Sequence, residues 1–148
     1  MVGPGTGIAP FRAFLHEMRA ARRAGAGRTG HVRLYFGCRR RDEDYLYEAE
    51  LAEFVADGTL SALRVAFSRE TASKVYVQHH VAEDGAALWA MLERGAHFYT
   101  CGGTAMGRDV VAALRDAVAA HGAMGADAAA AYVKDMQASG RLVQELWS

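Results

Sequence analysis

Gly3-Pro4-Gly5-Thr6-Gly7-Ile8-Ala9-Pro10 opens the chain and points to its fold. Glycines at alternate positions let the backbone turn tightly and approach another group closely. A helix expected from about Ala9 would direct its positive end to the same place, which suits a phosphate. A plain tight turn would use the same glycines. Only Met1 and Val2 precede the turn, so we expect a first strand that is cut short and a chain that is the C-terminal piece of something longer.

Short apolar segments alternate with longer amphipathic segments along the rest of the chain. The predicted buried strands are Leu34-Tyr35-Phe36, residues 63–67 and residues 98–101. The first predicted helix begins near Pro10. The other predicted helices cover residues 45–55, 85–93, 106–120 and 127–138. This order predicts an α/β fold of the doubly wound, Rossmann-like class, with a mainly parallel sheet of about five strands and helices on both faces.

Several helix details follow from single residues. Phe11, Phe14, Leu15 and Met18 share one face of the first helix, which should end between Gly25 and Gly30. Asp127 can cap the last predicted helix. The acidic run Asp42-Glu43-Asp44 resembles an acidic active site, but it is more typical of a capped first turn whose carboxylates offset the helix dipole.

The composition limits the classes of function. The 148 residues carry 17 basic and 17 acidic side chains, so the net charge of zero gives no general attraction for nucleic acid or an anionic membrane. Cys38 and Cys101 match no metal or redox spacing and should be free thiols. No apolar stretch is long enough to cross a bilayer, and the glycine-rich start is no signal peptide. We therefore expect a single domain in the cytoplasm, or on the cytoplasmic face of a membrane if a segment outside the chain carries an anchor.

Polar clusters follow the predicted strands, where ligands bind in open parallel sheets. Arg39, Arg40 and Arg41 follow the second strand, and Arg39 lies nearest to its end, while Arg40 and Arg41 fit a solvated charge run. Ser68-Arg69 follows the third strand. Lys74, Tyr76 and Gln78 come next and would share one face if that stretch is extended.

These side chains together would suit a phosphate ester on a nucleotide. Cations provide charge, hydroxyls bind the remaining oxygens and an aromatic face can stack on a base. The 2'-phosphate of NADP fits these demands, whereas NAD would favour an acidic residue at the ribose. A polar loop without a ligand is the alternative. His79 and His80 are adjacent and point in different directions in regular structure, so no metal site is predicted.

Cys101 and Trp147 each leave two interpretations open. The thiol follows the fourth predicted strand, where it is either a small buried apolar group or a neighbour of a reactive ring. The terminal tail Glu145-Leu146-Trp147-Ser148 either folds back onto its own domain or offers an indole that stacks on another flat ring.

Six blocks of sequence resemble the NADPH-binding module of the diflavin reductases, the family of the NADPH-haemoprotein reductase, sulfite reductase flavoprotein and nitric oxide synthase reductase types. The match covers essentially the whole chain in the family's order. The blocks are GPGTGIAPFR (3–12), FGCRRRDEDYLY (36–47), AFSRE (66–70), KVYVQH (74–79), HFYTCGG (97–103) and ELWS (145–148).

The resemblance implies roles for individual residues. The residues that match the family's contacts to the 2'-phosphate and adenosine are Ser68, Arg69, Lys74, Tyr76 and Gln78. Thr6 and Arg39 match its contacts to the pyrophosphate and nicotinamide side, and Met106 with Asp109 lies where the family lines the nicotinamide ribose. Gly5, Gly7 and Gly102 are further candidate cofactor-binding residues. The catalytic set is Cys101 beside the nicotinamide, Trp147 over the flavin ring, and Glu145. The family more often has Asp at position 145 and an acidic residue at position 103.

The implied reaction is hydride transfer from NADPH to FAD, followed by electron transfer through FMN to a haem or iron–sulfur acceptor. The resemblance implies that residues 1–148 form the NADP(H)-binding domain and that the FAD and FMN domains lie upstream in the same polypeptide. It also implies that the flavins pass the electrons on to an acceptor protein or domain. The fragment alone should bind NADP(H) and catalyse nothing. Two alternatives stay open: a non-catalytic NADP(H)-binding or sensor module, and a single-flavin ferredoxin–NADP reductase type of domain.

Overall fold

A computed structural model describes residues 1–26 and 30–148 of the chain. These residues form two compact units, Met1–Tyr76 and Val77–Ser148. The expected end of the first helix between Gly25 and Gly30 lies partly outside the described residues, although the helix itself stops at Arg23. Within the described residues, every helix is too short or too polar to cross a bilayer.

The first unit contains two parallel strands and the helices that connect them. Its elements are a 3-10 turn (Gly5–Ile8), α1 (Ala9–Arg23), β1 (Arg33–Cys38), the single-turn helix α2 (Arg41–Asp44), α3 (Glu48–Ala56) and β2 (Ala62–Phe67). β1 and β2 pair in parallel from Arg33 opposite Ala62 to Cys38 opposite Phe67. Val2 forms a further parallel bridge with Tyr35, so the residues before the glycine turn pair with β1 as a strand would.

α1 begins where the sequence predicts, with Pro10 in its first turn. Phe11 and Leu15 are one turn apart and bury fully, so they form the apolar stripe of the helix. Phe14 shares that face of α1 but is 38% exposed. Its ring lies at the edge of the stripe and makes an edge contact with Phe11.

The helix predicted at residues 45–55 begins later, at Glu48. The cause is the backbone of Tyr47, whose φ of 60° is left-handed, together with Tyr45, whose ψ of 83° also leaves the helical region. The acidic run instead belongs to α2, a separate turn.

The second unit also contains two parallel strands connected by helices. Its elements are α4 (Val77–Glu83), α5 (Gly85–Glu93), β3 (Phe98–Gly103), α6 (Thr104–His121), α7 (Ala126–Ala138) and β4 (Leu142–Trp147). β3 and β4 pair from Phe98 opposite Leu142 to Gly103 opposite Trp147. Asp127 does not cap α7: Gly125 is the N-cap residue, and Asp127 lies within the first turn.

β4 is the main element that the sequence analysis missed. Arg141 fixes the entry to this strand, because its guanidinium donates to the carbonyl oxygens of Leu92 at 2.7 Å and Ala96 at 3.1 Å. Leu146 packs so closely on α6 that a Cβ added to Gly107 would lie 2.6 Å from a Leu146 methyl carbon. The tail is therefore an ordered strand.

Both units have buried apolar cores, and parallel strands connected through helices confirm the predicted α/β class. The buried core of the first unit includes Val2, Ile8, Phe11, Leu15, Leu34, Phe36, Leu51, Phe54 and Leu60. That of the second unit includes Val81, Leu88, Phe98, Val110, Leu114, Val118, Ala129, Met136 and Leu142.

Candidate functional site

The glycine-rich turn is closely packed. The N–H of Gly3 donates to the Tyr35 carbonyl at 3.0 Å, and a Cβ on Gly3 would lie 2.4 Å from the Gly7 carbonyl oxygen. The N–H of Gly7 donates to Pro4 within the turn at 3.0 Å, while Gly5 takes a φ of 56°. Thr6 is exposed just before α1 begins, so its hydroxyl is accessible to a ligand.

The carboxyl ends of β1 and β2 stay joined for one residue beyond the strands. The N–H of Ser68 donates to the Cys38 carbonyl and the N–H of Arg69 donates to the Arg39 carbonyl, both at 3.0 Å. The Ser68 hydroxyl also lies 3.3 Å from the Cys38 carbonyl oxygen. The main chain therefore places Arg39, Ser68 and Arg69 at one strand edge, and both arginines are exposed there.

The other two arginines of the run interact mainly with neighbouring side chains. Arg40 forms an ion pair with Glu43, with Nε 3.4 Å from the carboxylate oxygen. Arg41 pairs with Glu48, and its guanidinium lies over the rings of Tyr45 and Phe67, at 5.4 and 5.2 Å from their centroids. The role of Arg39 as the functional member of the run stays a prediction.

Asp44 is a site neighbour whose contacts sequence reasoning missed. Its carboxylate accepts the N–H of Arg39 and the N–H of Arg40, each at 2.9 Å. The hydrogen bond from Arg40, then that from Arg39 and the charges of Arg39 and Arg69, lower the pKa of Asp44 from its ordinary value. Its place in an acidic run after a basic run was the available signal, but only the folded turn shows which carboxylate faces the main chain.

The predicted grouping of Lys74, Tyr76 and Gln78 on one extended face is wrong. α4 begins at Val77, so Gln78 lies on a helix while Lys74 and Tyr76 precede it in irregular backbone. The helix forms because Val77 and Val81, one turn apart, are both buried. Lys74 is exposed and Tyr76 is 41% exposed.

The second unit brings the three predicted catalytic residues together through strand register. Cys101 in β3 lies opposite Glu145 in β4, and Gly103 lies opposite Trp147. Partners in register point to the same face of a sheet, and residues two apart on a strand also share that face. Cys101 is buried, whereas Trp147 is 45% exposed. The face therefore carries a thiol, a carboxylate and an accessible indole.

Burial controls the protonation of the thiol on that face. Desolvation, and secondarily the negative charge of Glu145, raise the pKa of Cys101 above its ordinary value. Cys101 therefore remains a neutral thiol at physiological pH. Cys38 in the first unit behaves similarly, since burial is the main cause that raises its pKa to about 11. Both cysteines are free, as the sequence predicts.

Gln78 and Asp109 meet on neighbouring helices of the second unit. The Gln78 amide nitrogen lies 3.4 Å from an Asp109 carboxylate oxygen, and both line a groove of about 460 Å³ on α4 and α6. The buried Gln78 Oε1 has no hydrogen-bond partner among the described residues. Met106 lies one turn before Asp109 on α6, and Gly102 is buried at the end of β3.

The described parts of the chain contain no group of three or more His, Cys, Asp or Glu side chains with an arrangement that suits a metal ion. The candidate site residues fall into two sets, one in each unit. The set in the first unit is Gly5, Thr6, Gly7, Arg39, Ser68, Arg69, Lys74 and Tyr76. The set in the second unit is Gln78, Cys101, Gly102, Met106, Asp109, Glu145 and Trp147.

Known proteins match the chain over its whole length. The sequence profile of the oxidoreductase NAD-binding domain matches residues 1–112. The NADPH–cytochrome P450 reductase of Homo sapiens is 50% identical over 149 residues, which cover 100% of this chain and 22% of that protein. The protein of the same name from Rattus norvegicus is 51% identical over 150 residues, with the same two coverages.

A bacterial protein is also similar. The sulfite reductase (NADPH) flavoprotein alpha-component of Yersinia enterocolitica is 43% identical over 148 residues, which cover 99% of this chain and 24% of that protein. The chain thus spans about a quarter of the length of the curated relatives that it matches.

Proposed function

The chain belongs to the oxidoreductase NAD-binding domain family, and from that membership we propose that it binds NADPH and presents the nicotinamide for hydride transfer to FAD on an adjoining domain. The names of the relatives support the choice of NADPH, because both the cytochrome P450 reductases and the sulfite reductase flavoprotein carry it in their names.

The observation that carries this proposal is the group of side chains at the ends of β1 and β2. The main-chain bonds from Ser68 to Cys38 and from Arg69 to Arg39 bring two exposed guanidinium groups and a hydroxyl to one edge. A 2'-phosphate is a dianion that needs charge and several donors, and guanidinium groups supply both. The donor set therefore fits NADPH better than NADH, which has a neutral ribose hydroxyl at that position.

The remaining residues of the first unit would extend the binding site. Lys74 supplies a second type of cation and Tyr76 supplies an aromatic face and a hydroxyl, both exposed. Thr6, exposed at the start of α1, would donate to the pyrophosphate near the positive end of that helix.

In the second unit, the face with Cys101, Glu145 and Trp147 would serve the nicotinamide. The Cys101 thiol stays neutral because it is buried, so it would lie beside the nicotinamide ring as an uncharged group. Glu145 would favour the positive charge that develops on that ring. Trp147 would cover a flavin face until the nicotinamide replaces it. Gln78, Met106 and Asp109 would line the approach of the nicotinamide ribose and adenosine.

When bound, NADPH would supply the hydride, and flavins would pass the electrons onward singly to an acceptor. We propose that FAD and FMN domains of the same polypeptide accept these electrons and that a haem or iron–sulfur protein receives them. The short coverage of the relatives supports this arrangement, since about three quarters of each relative lies outside the match.

The direct test has two steps. Calorimetric titration of the chain should show tighter binding of NADPH than of NADH by at least tenfold, and equal affinities would contradict the 2'-phosphate site. The chain joined to an FAD domain should then reduce the flavin with NADPH. Binding without flavin reduction would favour a non-catalytic binding module, and reduction without any need for FMN in the natural protein would favour a single-flavin reductase.

A further inference from the structure

Three successive main-chain N–H groups at the end of β1 all donate to carboxylates. Those of Arg39 and Arg40 donate to Asp44, each at 2.9 Å from Oδ1, and Arg39 also lies 3.0 Å from Oδ2. The N–H of Arg41 donates to Glu70 Oε1 at 2.7 Å. We call these two carboxylates, together with the three N–H groups that donate to them, the carboxylate clasp.

The clasp joins two loops of the first unit. Asp44 returns from the end of α2 to the turn after β1, while Glu70 reaches the same turn from the loop after β2. The N–H of Arg69 donates in the opposite direction, to the Arg39 carbonyl at 3.0 Å. Two hydrogen bonds between the loops thus hold Arg39 and Arg69 next to each other.

We propose that Asp44 and Glu70 are positioning residues that hold Arg39 and Arg69 ready for the phosphates of the dinucleotide. This inference rests on the proposed function, since it concerns the same cationic site. A turn whose N–H groups bonded only to water would have to be ordered when the ligand binds. The carboxylate clasp orders the turn when the chain folds, so ligand binding does not have to lose that conformational entropy. The carboxylate of Asp44 also offsets the repulsion between two neighbouring guanidinium groups.

The carboxylates have an opposing effect that variants can separate. A negative charge close to Arg39 and Arg69 repels a phosphate, so the hydrogen bonds of Asp44 favour binding while its charge disfavours it. Asp44→Asn retains an oxygen that can take the place of Oδ1, which accepts both N–H groups, and removes the charge, but its amide nitrogen replaces Oδ2, which lies 3.0 Å from the Arg39 nitrogen. Asp44→Ala removes both.

The experiment measures NADP⁺ binding to the chain by calorimetry. Asp44→Ala should weaken binding roughly 3- to 10-fold, the effect of one or two exposed hydrogen bonds. Asp44→Asn should lose clearly less affinity than Asp44→Ala, because it keeps an acceptor at the place of Oδ1 and removes a charge that repels the phosphate. Glu43→Ala is the matched control, because it removes the same charge one residue away, where the side chain pairs with the exposed Arg40 side chain. It should change binding less than twofold or strengthen it.

A double-mutant cycle distinguishes positioning from general structural support. In an Arg69→Ala background, Asp44→Ala should cost clearly less than in the original chain, because the residue through which it acts is gone. Glu70→Ala tests the same claim on the other loop and should also weaken binding. If Asp44→Ala does not fold, Glu70→Ala becomes the test of the positioning role.

The inference is overturned if Asp44→Asn loses as much affinity as Asp44→Ala, if Glu70→Ala leaves binding unchanged, or if the loss persists in full without Arg69. An original chain that does not bind NADP⁺ at all would instead refute the proposed function. The two failures are therefore distinguishable.

Discussion

Gly3→Ala tests the close packing of the glycine-rich turn. The new Cβ would lie 2.4 Å from the Gly7 carbonyl oxygen and 2.7 Å from two ring carbons of Phe11. Favourable carbon contacts need about 3.5–4.0 Å, so each neighbour would have to move by roughly 1 Å. The Gly7 oxygen belongs to the main chain and Phe11 is only 2% exposed, so neither can move freely.

The magnitude follows from these two contacts. Overpacking a closely packed site costs about 1–3 kcal/mol, and a main-chain clash justifies the upper end. The alanine also restricts the unfolded chain, which returns about 0.4–1 kcal/mol. The net loss should be about 2 kcal/mol, which corresponds to a fall in Tm of about 4–8 °C for a chain of this size.

Urea unfolding followed by far-UV circular dichroism would measure this loss. Gly30→Ala is the matched control, because a Cβ there would meet nothing within 4 Å. It should stay within about 0.5 kcal/mol of the original chain, as surface substitutions usually do. If Gly3→Ala and Gly30→Ala have the same unfolding free energy, the turn is not packed as described and the reasoning fails.

Three further predictions concern the site. Cys101→Ala, in the chain joined to its flavin domain, should slow hydride transfer in stopped-flow measurements more than it weakens binding; the reverse result would make Cys101 a core thiol. In the same joined protein, Trp147→Ala should narrow the preference for NADPH over NADH, and an unchanged ratio of kcat/KM would indicate that the indole only packs. The pKa of Asp44 is depressed below 3.8, chiefly by the N–H of Arg40, so its contribution to stability is present above that pH and lost as the pH falls through the folded-state pKa. The unfolding free energy of Asp44→Asn should therefore fall less steeply below pH 4 than that of the original chain. Parallel curves of unfolding free energy against pH for the two proteins would contradict this.

Regular hydrophobic patterns explain which elements the sequence could predict. Continuous apolar residues such as Leu34-Tyr35-Phe36 identify β1, because a strand buried on both faces needs no polar alternation. β4 escaped because its burial alternates from Leu142 to Trp147, which leaves Glu145 and Trp147 exposed like the residues of a tail. The alternation itself was the signal, since period-two exposure is typical of a half-buried strand.

The site could be predicted only where strand ends determine it. Arg39 directly follows β1 and Ser68-Arg69 directly follows β2, and the parallel register brings them together. Gln78 was misplaced because polar neighbours hid the helical spacing of Val77 and Val81. The Asp44 contacts depend on the geometry of a single turn, which local propensity does not specify.

The most direct test of the 2'-phosphate site compares 2',5'-ADP with 5'-AMP, which differ only in that phosphate. The chain should bind 2',5'-ADP more tightly, and Arg69→Ala should weaken that binding by about 1–3 kcal/mol, or roughly 5- to 150-fold, while hardly changing the affinity for 5'-AMP. Arg40→Ala, which removes a neighbouring exposed guanidinium paired with Glu43, should leave the ratio nearly unchanged. Equal affinities of the original chain for the two ligands, or equal losses in Arg69→Ala, would contradict the site at the ends of β1 and β2.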